Sequence, residues 1–142
     1  EITGTIPAVL GNLYELQSLY MFSNQLVGTL PNTFVNLSQL VTLEVNDNLL
    51  SGTVPPWLGN MTALQLLFIN SNFYTGTIPS DLSKLTNLTT LNVAYNMLKG
   101  TLPNLFFSVD KLVGLYLDSN YLHGSIPECI GQLNELTYLY LN

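Results

Sequence analysis

Arginine is absent from this chain, and its only basic side chains are Lys84, Lys99 and Lys111, set against nine carboxylates. A net charge of −6 offers nothing that could neutralise a phosphate backbone, so nucleic acid is excluded as a partner. No apolar run approaches the roughly 18 to 20 residues of a membrane-spanning helix, and no membrane contact is expected from this segment. The opening residues, EITGTIP, lack the basic start and apolar stretch of a signal peptide. Histidine and cysteine occur once each, as His123 and Cys129. A single cysteine closes no internal disulfide; Cys129 reads as a small, partly buried side chain, with pairing to a cysteine outside the sequence as the alternative. With one imidazole and one thiol, no nucleophile can be matched to a base and no ligand set has metal spacing, so neither catalysis, a metal nor a cofactor is expected.

What the chain has is apolar side chains, 47% of its 142 residues, enough for one domain with a substantial buried core. Their order is periodic. The tetrapeptides starting at Gly4, Gly28, Gly52, Gly76, Gly100 and Gly124 read GTIP, GTLP, GTVP, GTIP, GTLP and GSIP, always 24 residues apart. Upstream of each later one runs L-x-x-L-x-x-L-x-L-x-x-N-x-L-x-G-x-I-P, filled for example by Leu37, Leu40, Leu43, Val45, Asn48, Leu50, Gly52, Val54 and Pro55.

Each position has a physical task. Leu43 and Val45, two apart, point to one side of a strand while Thr42, Glu44 and Asn46 point to the other. The same pairing predicts six parallel strands beginning near Ser18, Thr42, Leu66, Thr90, Gly114 and Tyr138, joined by right-handed connections. Where each strand ends the chain must turn, and a side-chain amide can satisfy the backbone groups left inside. Asn24, Asn48, Asn72, Asn96 and Asn120 fill that place, as an internal ladder. The Gly-Thr-Ile-Pro segment supports a second short extended piece, Ile inward and Thr outward, and its proline can open a helical turn. Apolar residues three beyond the prolines (Leu10, Phe34, Leu58, Leu82, Phe106 and Ile130) and three further on (Leu13, Leu37, Met61, Leu85, Val109 and Leu133) suit one or two such turns.

These residues resemble the plant-specific class of leucine-rich repeat, marked by L-x-G-x-I-P after the asparagine, as in Leu122, Gly124, Ile126 and Pro127. The resemblance covers the whole chain and is to ectodomains of plant receptor-like kinases, receptor-like proteins and polygalacturonase-inhibiting proteins. It implies an α/β fold, a right-handed solenoid with one parallel strand per repeat on a concave face and short extended and helical or 3-10 segments on the other sides. It also implies an extracellular or cell-surface place and ligand recognition on the strand face. Residues 1–142 then form a single array of about six repeats. Glu1 falls in mid-repeat and Asn142 two residues short of the next ladder position, so the expectation is a piece of a longer array without capping segments.

Outward positions of the strands are free of the core and free to vary. Tyr20, Glu44, Phe68, Asn92, Tyr116 and Tyr140 form one column, four of the six aromatic. Beside it stand Phe22, Asn46, Asn70, Ala94 and Asp118, then Ser23, Asp47, Ser71, Tyr95 and Ser119. Exposed aromatics on a rigid surface stack on sugar rings or anchor a peptide at small entropic cost, and Glu44, Asp47 and Asp118 make the face acidic. The alternative is that the aromatics merely stabilise the sheet by pairing across strands. Candidate binding residues are therefore Tyr20, Phe22, Glu44, Asp47, Phe68, Asn70, Asn92, Tyr95, Tyr116, Asp118 and Tyr140. Glu44 and Asp118 lie three repeats apart, roughly 14 Å at about 4.8 Å per strand, too far for a glycosidase pair at about 5 to 9.5 Å. Sequons at Asn36, Asn60 and Asn87 map away from the strand face, where glycans would leave it open. The leading reading is a receptor-like recognition module for a protein, peptide or glycan. Its rivals are an inhibitor of a secreted wall-degrading enzyme, a structural or adhesive repeat, and an ice-binding surface built on Thr5, Thr29, Thr53, Thr77 and Thr101.

Overall fold

A computed structural model describes residues 1–103 and 108–142. Two parallel six-stranded sheets run the length of the array. The first comprises Ser18–Tyr20, Thr42–Glu44, Leu66–Phe68, Thr90–Asn92, Gly114–Tyr116 and Tyr138–Tyr140, the six starting points that the spacing predicts. Equivalent leucines pair one repeat apart, Leu19 with Leu43, Leu43 with Leu67, and so on to Leu115 with Leu139. Period-two alternation sends these leucines inward, where each of the inner four is covered from the repeats on either side. Leu115, with a strand on both sides, has 0% exposure; Leu139, with one neighbour, has 42%.

The second sheet comprises Thr3–Thr5, Gln25–Gly28, Leu49–Thr53, Phe73–Gly76, Met97–Gly100 and Tyr121–Leu122. All but the last reach or pass through the motif glycine. That glycine holds φ between +77° and +90° in every repeat, which a side chain would resist. Its missing Cβ is also needed for room: at Gly52 a Cβ would lie 2.9 Å from the Thr29 Cγ2 methyl of the preceding repeat. Gly and Thr thus belong together across repeats as well as along the chain. Beyond them Ile6, Leu30, Val54 and Ile78 turn inward and are buried, while the neighbouring threonines stay exposed.

On the third side are 3-10 turns, Ala8–Asn12, Asn32–Asn36, Pro56–Asn60, Ser80–Lys84 and Glu128–Gln132, each entered from an extended proline. Each proline carbonyl accepts from the N–H three residues on, as in Phe34 N to Pro31 O at 3.1 Å. The i, i+3 apolar pairs lie beneath, with Phe34 and Leu37, Leu58 and Met61, Leu82 and Leu85 all buried. Phe106 lies outside the described residues. Together the three sides enclose one continuous apolar core, with Cys129 inside it. One member is unexpected: Tyr74 replaces leucine in the column of Leu26, Leu50 and Leu98, and its buried hydroxyl has no partner among the described residues.

Candidate ligand-binding face

The asparagine ladder gives the strand face its rigidity. Asn48 Nδ2 donates to the carbonyls of Met21 (2.8 Å), Val45 (3.1 Å) and Asn46 (3.1 Å), and its Oδ1 accepts the Leu26 N–H at 2.9 Å. Asn72, Asn96 and Asn120 repeat this pattern, accepting from Leu50, Tyr74 and Leu98. Asn24 makes the same turn with Met21 and Phe22 and accepts from Ile2. Each amide therefore ties the end of its own strand to the second sheet of the repeat before. Asn48, Asn72 and Asn96 are buried and point inward as the sequence leads one to expect.

Directly outside the ladder the chain bends through the third outward column, in a conformation that the strand pattern does not reveal. Ser23, Asp47, Ser71, Tyr95 and Ser119 all adopt left-handed backbone, with φ between 52° and 55°. The candidates Asp47 and Tyr95 thus stand on the rim of the face, both exposed, and not in its floor. The floor consists of the strand column. Tyr20 is exposed, Glu44, Phe68, Asn92 and Tyr116 are half-buried, and Tyr140 is exposed. Tyr20 meets Phe22 edge to face at 6.4 Å, and Tyr116 stacks on Tyr140 at 5.1 Å with an interplanar angle of 22°. Gly114 makes room for that shelf: a Cβ there would come within 2.9 Å of the Tyr116 ring. Burial pushes the Tyr116 phenol above its ordinary value, with repulsion from Tyr140 and then Tyr138 adding to it.

Between the aromatic ends the face is polar. Asn92 Oδ1 accepts the Ala94 N–H at 3.1 Å, Asn46 Nδ2 donates to Asp47 Oδ2 at 2.6 Å, and Asn70 Nδ2 donates to Ser71 Oγ at 3.3 Å. The column of Phe22, Asn46, Asn70, Ala94 and Asp118 deepens along the array, from exposed Phe22 to buried Ala94 and Asp118. No lysine enters this face. Lys84 pairs with Asp81 at 2.6 Å on the 3-10 side, Lys111 donates to Asn87 Oδ1 at 2.8 Å, and Lys99 lies in the second sheet.

Elsewhere the candidates separate. Asn36 and Asn60 are exposed at the ends of their 3-10 turns, whereas Asn87 is half-buried and donates to the Thr62 carbonyl at 3.1 Å. The threonine column turns its methyls toward the next repeat's glycine, a structural task that the ice-binding reading does not use. A feature absent from the sequence reading is an exposed apolar stripe on the second sheet, Leu49, Phe73, Met97 and Tyr121, at the position just after Asn48, Asn72, Asn96 and Asn120. The 24-residue register, applied to that position, would have found it. Among the described residues no three metal-ligating side chains gather, and no helix is long and apolar enough to cross a membrane.

With this geometry in view, the leucine-rich-repeat family models match residues 15–37, 39–61 and 86–142. No curated protein matches the sequence. Among solved structures, that of a TDR receptor is 41% identical with a TM-score of 0.96, covering 98% of this chain and 24% of its own. The Arabidopsis receptor kinase HAESA, solved in complex with the peptide hormone IDA and the co-receptor SERK1, is 31% identical with a TM-score of 0.95, covering 99% of this chain and 24% of its own. A plant ice-binding protein is 26% identical with a TM-score of 0.79, covering 99% of this chain and 61% of its own. The chain spans about a quarter of the length of the two receptors, at 24% of each. The inward leucines, the asparagine ladder, the two parallel sheets and these likenesses together place the chain in the leucine-rich-repeat family, in its plant-type form.

Proposed function

We propose that this chain is a non-enzymatic recognition module of a cell-surface receptor-like protein, and that it binds an extended peptide across the strand face. The observation that carries the reading is the pairing of a rigid, fully bonded ladder with solvent-facing aromatics at both ends of the adjoining column. Tyr20 and Phe22 stand at one end, Tyr116 and Tyr140 at the other. Rings held at fixed spacing bind without losing much side-chain entropy, which is what a peptide-anchoring surface needs. Five repeat spacings of about 4.8 Å amount to roughly 24 Å, the reach of about seven extended residues. The likeness to HAESA, whose solved complex contains a peptide hormone, supports a peptide as the ligand class. Glycans at Asn36 and Asn60 would leave the face clear.

The test is selection of random dodecapeptides on the intact protein, followed by replacement of Tyr20, Phe68 and Tyr116 together with alanine. Selected peptides should lose at least about 30-fold in affinity, the equivalent of about 2 kcal/mol, while circular dichroism stays unchanged. Undiminished binding by the folded triple variant would sink the proposal.

A further inference from the structure

Asp118 is the most recessed carboxylate of the strand face, and its oxygens still reach solvent. It is 8% exposed, whereas Glu44 is half-buried and Asp47 exposed. Leu115 and Leu117 on either side of Tyr116 both face the core, so alternation puts Asp118 on the same side as the Tyr116 ring. Ladder bonds keep the chain extended there, Leu117 N to Tyr140 O at 2.9 Å and Tyr95 N to Asp118 O at 3.0 Å. Among the described residues only its backbone carbonyl is bonded, to Tyr95 N and to Asn120 Nδ2; its carboxylate has no donor.

Its carboxylate is thus open to a donor from a ligand, and among the described residues no cation pairs with it. Lys84 and Lys111 are engaged on the 3-10 side. Lys99 and the exposed His123 belong to the second sheet and the loop after it. The equivalent position one repeat back is Ala94, which brings a methyl and no polar atom. On the strand-face side stands the Tyr116–Tyr140 stack. A carboxylate beside stacked phenol rings suits a planar organic cation, which can bond the carboxylate through two N–H groups and lie against a ring face.

We propose that Asp118 is a specificity-determining residue that receives a cationic side chain of the ligand, arginine above all, with Tyr116 and Tyr140 as its wall. This rests on the strand-face reading above. It gives that reading a polarity: the ligand's basic residue lies at the Tyr116 end of the face, and Glu44 and Asp47, three repeats away, are not its site.

The experiment uses the intact protein and three pools of N-acetylated, C-amidated heptapeptides, random except for a central arginine, citrulline or glutamate. The arginine pool should bind at least tenfold more tightly than the citrulline pool, with glutamate weakest, and Asp118→Asn should erase the arginine–citrulline gap. Without peptide, Asp118→Asn should leave the thermal midpoint unchanged, because among the described residues no bond of the fold uses the carboxylate. A midpoint that falls would make Asp118 a structural residue and overturn the proposal. So would an arginine–citrulline gap that survives Asp118→Asn. Equal binding of all pools, lost in the Tyr20, Phe68 and Tyr116 variant, overturns this inference alone; no binding by any pool overturns the strand-face reading with it.

Discussion

Two polar columns run side by side through every repeat, and they behave in opposite ways. The asparagine ladder keeps one residue type at Asn24, Asn48, Asn72, Asn96 and Asn120, with donors and acceptor all used. Four residues upstream, the strand-face column varies, from Tyr20 to Glu44, Phe68, Asn92 and Tyr116, and repeats a residue only in the last step, to Tyr140. The ladder is uniform because each turn poses the same problem of unpaired backbone groups, which an amide of one length solves. No such uniform demand reaches the strand face, whose side chains fill no core and of which Asn92 alone, among the described residues, bonds the backbone, at the Ala94 N–H. Variation along a chain of near-identical repeats is thus a map of where folding makes no demand.

The largest effect should come from breaking the ladder. Asn72→Ala removes bonds to Val45, Ile69 and Asn70 and strands the buried Leu50 N–H. With about 1 kcal/mol for each net bond and more for an unsatisfied buried group, we expect a loss of about 3 to 4 kcal/mol, read as a lowered urea midpoint. A loss under 1 kcal/mol would mean that water replaces the amide.

Next in size is Gly52→Ala, which meets both a φ of +88° and the Thr29 methyl at 2.9 Å. A loss of about 2 kcal/mol is expected, from left-handed strain and overpacking together. Adding Thr29→Ser should recover part of it, because serine lacks the obstructing methyl. A double variant no more stable than the single would assign the whole effect to backbone strain.

Tyr74→Phe should go the other way. Its hydroxyl is buried without a partner among the described residues, so removing it should be neutral or stabilise the fold by about 1 kcal/mol. Burial holds the Tyr74 phenol well above its ordinary value in the folded state. The stability linked to that proton is complete below roughly pH 10 and is lost as pH rises beyond it, when the unfolded chain ionises first. Alkaline denaturation should therefore be shallower in Tyr74→Phe than in the parent. Equal slopes would show that another group governs the alkaline limb.

The smallest change in stability belongs to the strand face. Tyr20→Ala should shift the unfolding free energy by less than about 0.5 kcal/mol, since the ring is exposed and touches mainly Phe22. A larger loss would make the aromatic column part of the sheet's own stability and erase the contrast with the ladder.

The period of 24, the six strand starts, the inward leucines and the role of the asparagines were all determined by the sequence alone. They follow from alternation and turn chemistry within a few residues, repeated until chance is excluded. Depth was decided only by the tertiary structure. Asp118 and Asp47 both read as acidic residues of the strand face, yet one is recessed into it and the other stands exposed on a left-handed rim. Gly114 reads as a plain strand residue, yet its missing side chain seats the Tyr116 ring. In each case the deciding neighbour belongs to another repeat or another column. Alternation says which side a residue faces, whereas exposure on that side depends on the size of the side chains that stacking brings alongside.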